Sequence, residues 1–122
     1  FNSVTADVSG NNCDPMNLQN TYHEICDNPF YYIDTDISLD GTVVCENFDA
    51  DSSKLTLLVN EKGTSNVYAV TYKAENFNSI LNKELHITGK LSNTHRVTYY
   101  NDETKSLGYV IYPLITATEV TE

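Results

Sequence analysis

The sequence has no tryptophan, only three cysteines and three prolines, and no long apolar run. A membrane-spanning helix needs about 20 consecutive apolar residues, so the short apolar runs exclude one. The cysteines form no Cys-x-x-Cys pair and show no Cys/His ligand spacing, which argues against a zinc site. Tyrosine is the abundant large side chain, with nine residues against four phenylalanines. An apolar content of 40% predicts a folded chain, and 122 residues suffice for one domain.

Basic residues are also scarce, above all in the first half of the chain. Residues 1–53 contain ten acidic side chains and no lysine or arginine, whereas residues 54–122 contain seven of each sign, for a net charge of −10. A nucleic-acid surface needs clustered cations that displace counterions. The charge therefore disfavours nucleic acid as the main partner and indicates a solvated acidic face.

The odd number of cysteines favours one disulfide and one free thiol. Cys13 and Cys26 flank a short predicted helix and are the preferred pair. Cys13 with Cys45 is the next choice, and three reduced thiols in a cytosolic protein are the alternative. The chain opens at Phe1 without an initiator Met. We therefore expect a processed, exported protein that resides outside the cytoplasm or is secreted.

Two regions are predicted, a flexible lead of residues 1–13 and a single folded domain of residues 14–122. The domain begins with a helix, because Asp14 is a good N-cap and Pro15 suits the first helical position. The helix is expected to end before Pro29. Its apolar stripe consists of Leu18, Tyr22 and Ile25.

Segments of alternating or strongly apolar character predict a mostly β domain. The five predicted strands are 36–48, 55–59, 67–73, 83–91 and 114–120. The long first strand contains Gly41, which suggests a bend that lets one strand serve two sides of a barrel. A short helix is predicted at 74–81 from the helical spacing of its apolar residues, and residues 92–112 are expected to form a long loop that includes a hairpin.

This order of elements resembles the oligonucleotide/oligosaccharide-binding (OB) fold, an all-β, five-stranded Greek-key barrel with short helices. The fourth strand carries the hydrophobic-x-hydrophobic-x-Gly-x-hydrophobic pattern of many OB domains, Leu85-His86-Ile87-Thr88-Gly89-Lys90-Leu91. The helix that runs into the first strand is similar to that of bacterial exported proteins of the tRNA-anticodon-domain-like OB family. The resemblance implies an OB-like barrel over residues 14–122, with an N-terminal helix and a second helix between strands three and four.

The same resemblance implies ligand binding on the outer face of strands two and three and in the loops that join strands one to two and four to five. Aromatic side chains and an arginine in those places could stack on bases or sugar rings. The alternative is that the tyrosines only cover the barrel, with their hydroxyls in water. The candidate ligand-binding residues are Tyr68, Tyr72, Arg96, Tyr99 and Tyr100.

No catalytic residue, metal site or cofactor is predicted. His86 and His95 are the most reactive-looking side chains of the second half, but no serine or cysteine lies at a spacing that places it beside either one. The carboxylates around Asp36, Asp40 and Asp49 lack the EF-hand pattern of calcium ligands and are interpreted as turn residues.

We therefore expect a non-enzymatic OB-fold binding module that docks a protein partner through its barrel face or an edge strand. The alternative is an OB domain that binds oligosaccharide or single-stranded nucleic acid through the candidate tyrosines and arginine. A third possibility is a small hydrolase built on one of the two histidines.

Overall fold

The computed structural model describes residues 18–122, and the side chains from residue 22 onward. This part of the chain contains α1 (Leu18–Asp27), a 3-10 turn (Pro29–Tyr32), β1 (Asp36–Asp49), β2 (Lys54–Glu61), β3 (Val67–Lys73), β4 (Glu84–Asn101) and β5 (Ser106–Thr121). The prediction of a mostly β domain preceded by a helix is confirmed. The predicted lead and the Asp14 cap lie outside the described residues. No helix in residues 18–122 is long and apolar enough to cross a membrane.

The five strands close into a ring in the order β1-β2-β3-β5-β4, with β4 returning to β1. All neighbours are antiparallel except β3 and β5, which pair in parallel over residues 69–71 and 114–116. Closing the ring satisfies the edges that an open sheet would leave unpaired. The five-stranded closed barrel that the resemblance implies is therefore present.

The core lies inside this ring because alternate residues of each strand point inward. From β2 these are Leu55, Leu57 and Val59, as predicted, and β3 places Tyr68 and Val70 opposite them on the same side of the ladder. Each fully buried aliphatic side chain stabilises the fold by about 1.5–3 kcal/mol. The other strands complete the core with Ile37, Leu39, Val43, Leu85, Ile87, Leu91 and Ile115.

Helix α1 packs on the ring beside the start of β3. Ile25 is fully buried, and the Tyr22 hydroxyl donates a hydrogen bond to the Val67 carbonyl oxygen at 2.9 Å. The Tyr22 ring meets the Tyr68 ring edge to face at 5.1 Å between centroids. A helix of ten residues is too short to persist on its own propensity, so these contacts hold it in place.

The bend predicted at Gly41 is the point where β1 passes from one neighbour to the other. Gly41 pairs with Leu85 of β4 on one side and with Glu61 of β2 on the other. A Cβ atom at this position would lie 2.7 Å from Val59 Cγ1, closer than real Cβ contacts come. Glycine is therefore required for the close approach of β1 and β2.

The helix predicted at 74–81 is absent, and the prediction is wrong. Residues 74–83 run from β3 to β4 as bends and one turn. The Glu46 carboxylate holds this segment by accepting hydrogen bonds from Ser79 Oγ at 2.5 Å and from the Ile80 amide at 2.9 Å. Phe77 stacks on Phe48 with ring centroids 5.4 Å apart. The apolar spacing that predicted a helix is used instead by an extended loop that packs three of its side chains against the barrel.

Residues 92–112 are not a loop beside the barrel but the continuation of β4 and β5. The two strands stay paired from the barrel out to Asn101 and Ser106, so the predicted hairpin is longer than expected, and its register shifts lie near the barrel, between Thr88 and Gly89 and between Leu91 and Asn93. Pro113 lies within β5 opposite Thr94, just before the residues of β5 that pair with β3. A proline fits there because it has no N–H to offer a neighbouring strand.

The cysteines show no disulfide in the described part of the chain. Cys26 and Cys45 carry free thiols. Cys13, the partner predicted for Cys26, lies outside the described residues. The Cys13–Cys26 pair has no support in this structure and stays a prediction.

Candidate functional site

The outer part of the β4–β5 hairpin projects from the ring as a two-stranded ribbon. We call residues 93–113 the arm. β4 pairs with β1 only through residues 84–90, and β5 pairs with β3 only through residues 114–116, so within residues 18–122 the two arm strands are paired only with each other. A two-stranded ribbon has no interior of its own.

Large apolar side chains of the arm are exposed. Leu107 is 74% exposed, Tyr109 57%, Tyr100 56% and Tyr99 47%, and Val110 and Ile111 are also exposed. Soluble monomers rarely display a contiguous apolar surface of this kind unless it contacts something. The arm is therefore the best candidate for an interaction surface in the described chain.

The strand register divides the arm side chains between two faces. The first face carries Arg96, Thr98, Tyr100, Leu107, Tyr109 and Ile111. On it the Arg96 guanidinium lies 4.5 Å from the centre of the Tyr109 ring, a cation–π contact that orients the arginine along the ribbon. This face presents a flat aromatic and aliphatic surface with one positive charge.

The second face carries His95, Val97, Tyr99, Gly108, Val110 and Tyr112. The Tyr99 ring lies across Gly108: a Cβ atom on Gly108 would be 2.8 Å from Tyr99 Cζ. An aromatic side chain that covers a cross-strand glycine is a known way to stabilise a ribbon. Tyr99 is therefore positioned by the backbone of the opposite strand, with part of its ring still in solvent.

Local hydrogen bonds order the tip of the arm. Asn101 Oδ1 accepts hydrogen bonds from the amides of Glu103 at 2.9 Å and Thr104 at 3.2 Å. The Thr104 and Ser106 hydroxyls are 2.7 Å apart. Lys105 takes a positive φ of 54°, which closes the turn. The arm is thus a defined hairpin with its turn bonded internally.

The outward orientation predicted for Tyr68 and Tyr72 is wrong. Tyr68 is fully buried inside the ring, and Tyr72 faces Leu55 and is partly buried against the core. Burial raises the pKa of Tyr68 well above its usual range, and its hydroxyl has no hydrogen-bond partner among the described residues. The register explains the error, because β3 must place Tyr68 and Tyr72 on the same side as the inward leucines of β2.

The other three predicted ligand-binding residues, Arg96, Tyr99 and Tyr100, all lie on the arm. The structure places Tyr99 on one face and the other two on the opposite face. Leu107, Tyr109 and Ile111 were missed because residues 92–112 were interpreted as a long loop, in which 107–112 was only one strand of a hairpin. Pairing Tyr109 with Thr98 would have indicated its position beside Arg96, but the register was not available from the sequence.

A side-chain cluster on the outer face of β1 and β4 also differs from the sequence interpretation. His86 Nδ1 lies 2.5 Å from Asp40 Oδ1, and His86 Nε2 lies 3.5 Å from Ser38 Oγ. Ser38 comes from the neighbouring strand and lies 48 residues from His86 in sequence, so no sequence spacing predicted this contact. Next to this cluster Lys90 Nζ and Asp36 Oδ1 form an exposed ion pair at 2.7 Å, and the hydrogen bond to Asp36 raises the pKa of Lys90.

A groove of about 730 Å³ lies between the end of α1 and the 3-10 turn. It is lined by residues 24, 27 and 28–32, which include the exposed Phe30 and Tyr31 rings. No arm residue lines this groove. Among the described residues no group of three His, Cys, Asp or Glu side chains is arranged to hold a metal.

No protein-family model and no curated protein matches the chain. Among solved structures, the chain is similar to the mitochondrial single-stranded DNA-binding protein Rim1 of S. cerevisiae, with a TM-score of 0.43 and 10% identity over 72% of this chain and 93% of that one. It is also similar to the SSB domain of a protein from Synechococcus sp., with a TM-score of 0.42 and 18% identity over 71% of this chain and 93% of that one.

Proposed function

We propose that this protein is a binding module, built on a Greek-key barrel of the OB type, that docks a partner protein through its arm in a contact that involves no catalysis. The observation that carries the proposal is the exposure of large apolar side chains on both faces of a ribbon without an interior. A complex would bury these side chains. Tyrosine and arginine are also the residues most enriched among the energetically dominant contacts of protein interfaces.

The composition of the arm favours protein over nucleic acid as the ligand. Leu107, Val110 and Ile111 have neither a π face for a base nor a charge for a phosphate, but they suit an apolar protein surface. The two cationic side chains of the arm, Arg96 and Lys105, are balanced by Asp102 and Glu103. The net charge of −10 would repel a polyanion and would attract a partner whose apolar patch has a basic rim.

Single-stranded nucleic acid or an oligosaccharide is the second candidate ligand. The supporting observation is the stack of Arg96 on Tyr109, with Tyr100 exposed on the same face and Tyr99 exposed on the other. The arm is the connection between strands four and five, which the resemblance implies as a ligand-binding element. Base stacking on tyrosine is worth about 1–3 kcal/mol per base, enough for binding without many cations.

The test uses the folded chain as bait in extracts of its native source, with and without nuclease and at low and high salt. The double variant Leu107→Ser/Tyr109→Ser removes the apolar centre of the first face. Leu81→Ser is the matched control, because Leu81 is exposed but lies in the segment before β4. Retained proteins are identified by mass spectrometry, and the affinity of the recovered partner is then measured with each variant.

We expect one partner protein that survives nuclease and high salt and binds the double variant about 30-fold or more weakly, the loss expected for a dominant interface contact. The Leu81→Ser control should bind like the wild type. Retention of nucleic acid that is lost steeply with salt would instead support the second candidate. Equal binding of the partner by the double variant would contradict the docking role of the arm.

A further inference from the structure

The outer face of the β1–β4 seam brings together a serine, a histidine and an aspartate from two strands that are far apart in sequence. In the ladder Asp40 lies directly opposite His86, and Ser38 lies opposite Thr88, one step away along the same face. Side chains that are direct or diagonal neighbours on one face of a sheet are close enough to interact. The seam lies in the ring and not on the arm, so this cluster is separate from the docking surface proposed above.

The contacts define the protonation pattern of the imidazole. Nδ1 is 2.5 Å from the Asp40 carboxylate, and an ionised carboxylate only accepts hydrogen bonds. Nδ1 therefore carries the proton in the neutral ring, and Nε2 has a lone pair. Ser38 Oγ lies 3.5 Å from that nitrogen, so a slight approach makes Nε2 the acceptor of the serine proton.

Ser38 is thus placed as a nucleophile, His86 as a general base, and Asp40 as the group that orients the base. A catalytic triad is recognised by such geometry and not by position in the sequence. The side chains of His86 and Asp40 are roughly half exposed, and Ser38 is part-exposed, so a small reagent can reach the hydroxyl. We propose that Ser38, His86 and Asp40 form an acyl-transfer site that accepts and hydrolyses small activated esters.

The reaction is balanced by the residues themselves and water. In the first step Ser38 Oγ bonds to the ester carbonyl carbon while its proton passes to His86 Nε2. Collapse of the tetrahedral adduct then breaks the bond to the alkoxy or aryloxy leaving group, which takes that proton from His86. His86 then takes a proton from water, whose oxygen attacks the acyl carbon. The bond between the acyl carbon and Ser38 Oγ then breaks, and the carboxylic acid leaves. The electron pair of that bond stays on Oγ, which takes the proton back from His86. Asp40 holds the imidazole and stabilises its charged form throughout.

The open position of the seam limits the size of the effect. A positioned general base contributes about 10²–10⁴-fold, and a half-exposed site should lie at the low end. We expect the wild-type protein to hydrolyse 4-nitrophenyl acetate about 100-fold faster than the Ser38→Ala variant. His86→Ala should lose the same rate, and Asp40→Asn should lose about tenfold or more through misorientation of the ring.

A fluorophosphonate, which labels reactive serines covalently, identifies the reacting residue independently of the rate measurements. Attack by Ser38 forms a P–O bond and expels fluoride, and the adduct is mapped by peptide mass spectrometry. The matched controls are His23→Ala and Ser52→Ala, which remove an exposed histidine of α1 and an exposed serine of the turn between β1 and β2. Both controls should keep the wild-type rate and the adduct on Ser38.

Either of two results would overturn the proposal. One is a wild-type protein that carries no adduct on Ser38, which needs no variant and does not depend on how the variants fold. The other is an ester hydrolysis rate that is unchanged in Ser38→Ala or His86→Ala, with melting temperatures showing that these variants are folded. In that case the three side chains only form cross-strand contacts.

Discussion

The barrel buries the carboxyl group of Glu61 and supplies it with hydrogen-bond donors. Glu61, the last residue of β2, is buried, and its Oε1 accepts a hydrogen bond from Asn66 Nδ2 at 3.1 Å and one from Thr64 Oγ1 at 3.4 Å. Burial raises the pKa of Glu61, and the two hydrogen bonds oppose that rise only in part. The folded state therefore holds a proton on Glu61 at pH values at which the unfolded chain has released it.

This pKa difference predicts the effect of Glu61→Gln on stability. Ionised Glu61 disfavours folding, so wild-type stability falls as pH rises from the unfolded pKa of about 4.3 through the higher folded pKa. A glutamine side chain at this position keeps the acceptor oxygen for Asn66 and Thr64 without the charge. Urea unfolding should show Glu61→Gln more stable than the wild type at pH 7, with the gain lost near pH 4.

The exposed Glu103→Gln is the control, because it removes the same charge from the tip of the arm. It should show no comparable gain at pH 7. A Glu61→Gln variant that is less stable than the wild type at pH 7 would mean that the ionised carboxylate is better satisfied than its burial indicates.

At the scale of elements, the segment 74–83 shows that a loop without regular structure is held by specific contacts. Glu46 on β1 binds both the Ser79 hydroxyl and the Ile80 amide across 33 and 34 residues of sequence. Phe48, two residues further along β1, supplies the ring on which Phe77 stacks. The segment is thus attached to the C-terminal half of β1 by one carboxylate and one aromatic pair.

Glu46→Ala should therefore loosen this segment selectively. Loss of a charged hydrogen bond to a partly buried amide, as Ile80 has here, destabilises a protein by about 1–3 kcal/mol. The expected result is faster hydrogen exchange at the Ile80 amide, while the core amides of β2 change only by as much as the global stability falls. Asn47→Ala, a change at the neighbouring residue of β1, should leave exchange at Ile80 as in the wild type. Unchanged exchange in Glu46→Ala would show that the aromatic pair alone holds the segment.

At the scale of the whole molecule, the ring closes only if β1 approaches both neighbours closely. Gly41→Ala places a methyl group against Val59 and the backbone of Asn60, which cannot move without opening the β1–β2 ladder. Overpacking of this kind destabilises a protein by about 1–3 kcal/mol. We expect a lower free energy of unfolding in denaturant titrations.

Gly108→Ala is the matched glycine control for this prediction. A methyl group there meets only the Tyr99 side chain, which can rotate away, and the arm lies outside the ring. Its loss of stability should be clearly smaller than that of Gly41→Ala. Equal losses would mean that the arm and the ring unfold as one unit.

Four features could be predicted from local sequence patterns: the β character of the chain, the helix before β1, the inward leucines of β2 and the need for glycine in β1. These features follow from local periodicity and from the conformational range of single residues, which act over a few positions. The location of Arg96, Tyr99 and Tyr100 outside the barrel core also followed, because these residues come after the Gly89 strand pattern ends.

Three features depend on contacts between distant parts of the chain: which face of β3 is inside, the absence of a helix at residues 74–81, and the projecting ribbon of residues 93–113. Register between strands is a long-range property, and a shift of one residue exchanges the two faces of a strand. Tyr68 was assigned to the wrong side for that reason. Ser38 and His86 meet for the same reason, since 48 residues separate them and only the pairing of β1 with β4 makes them neighbours.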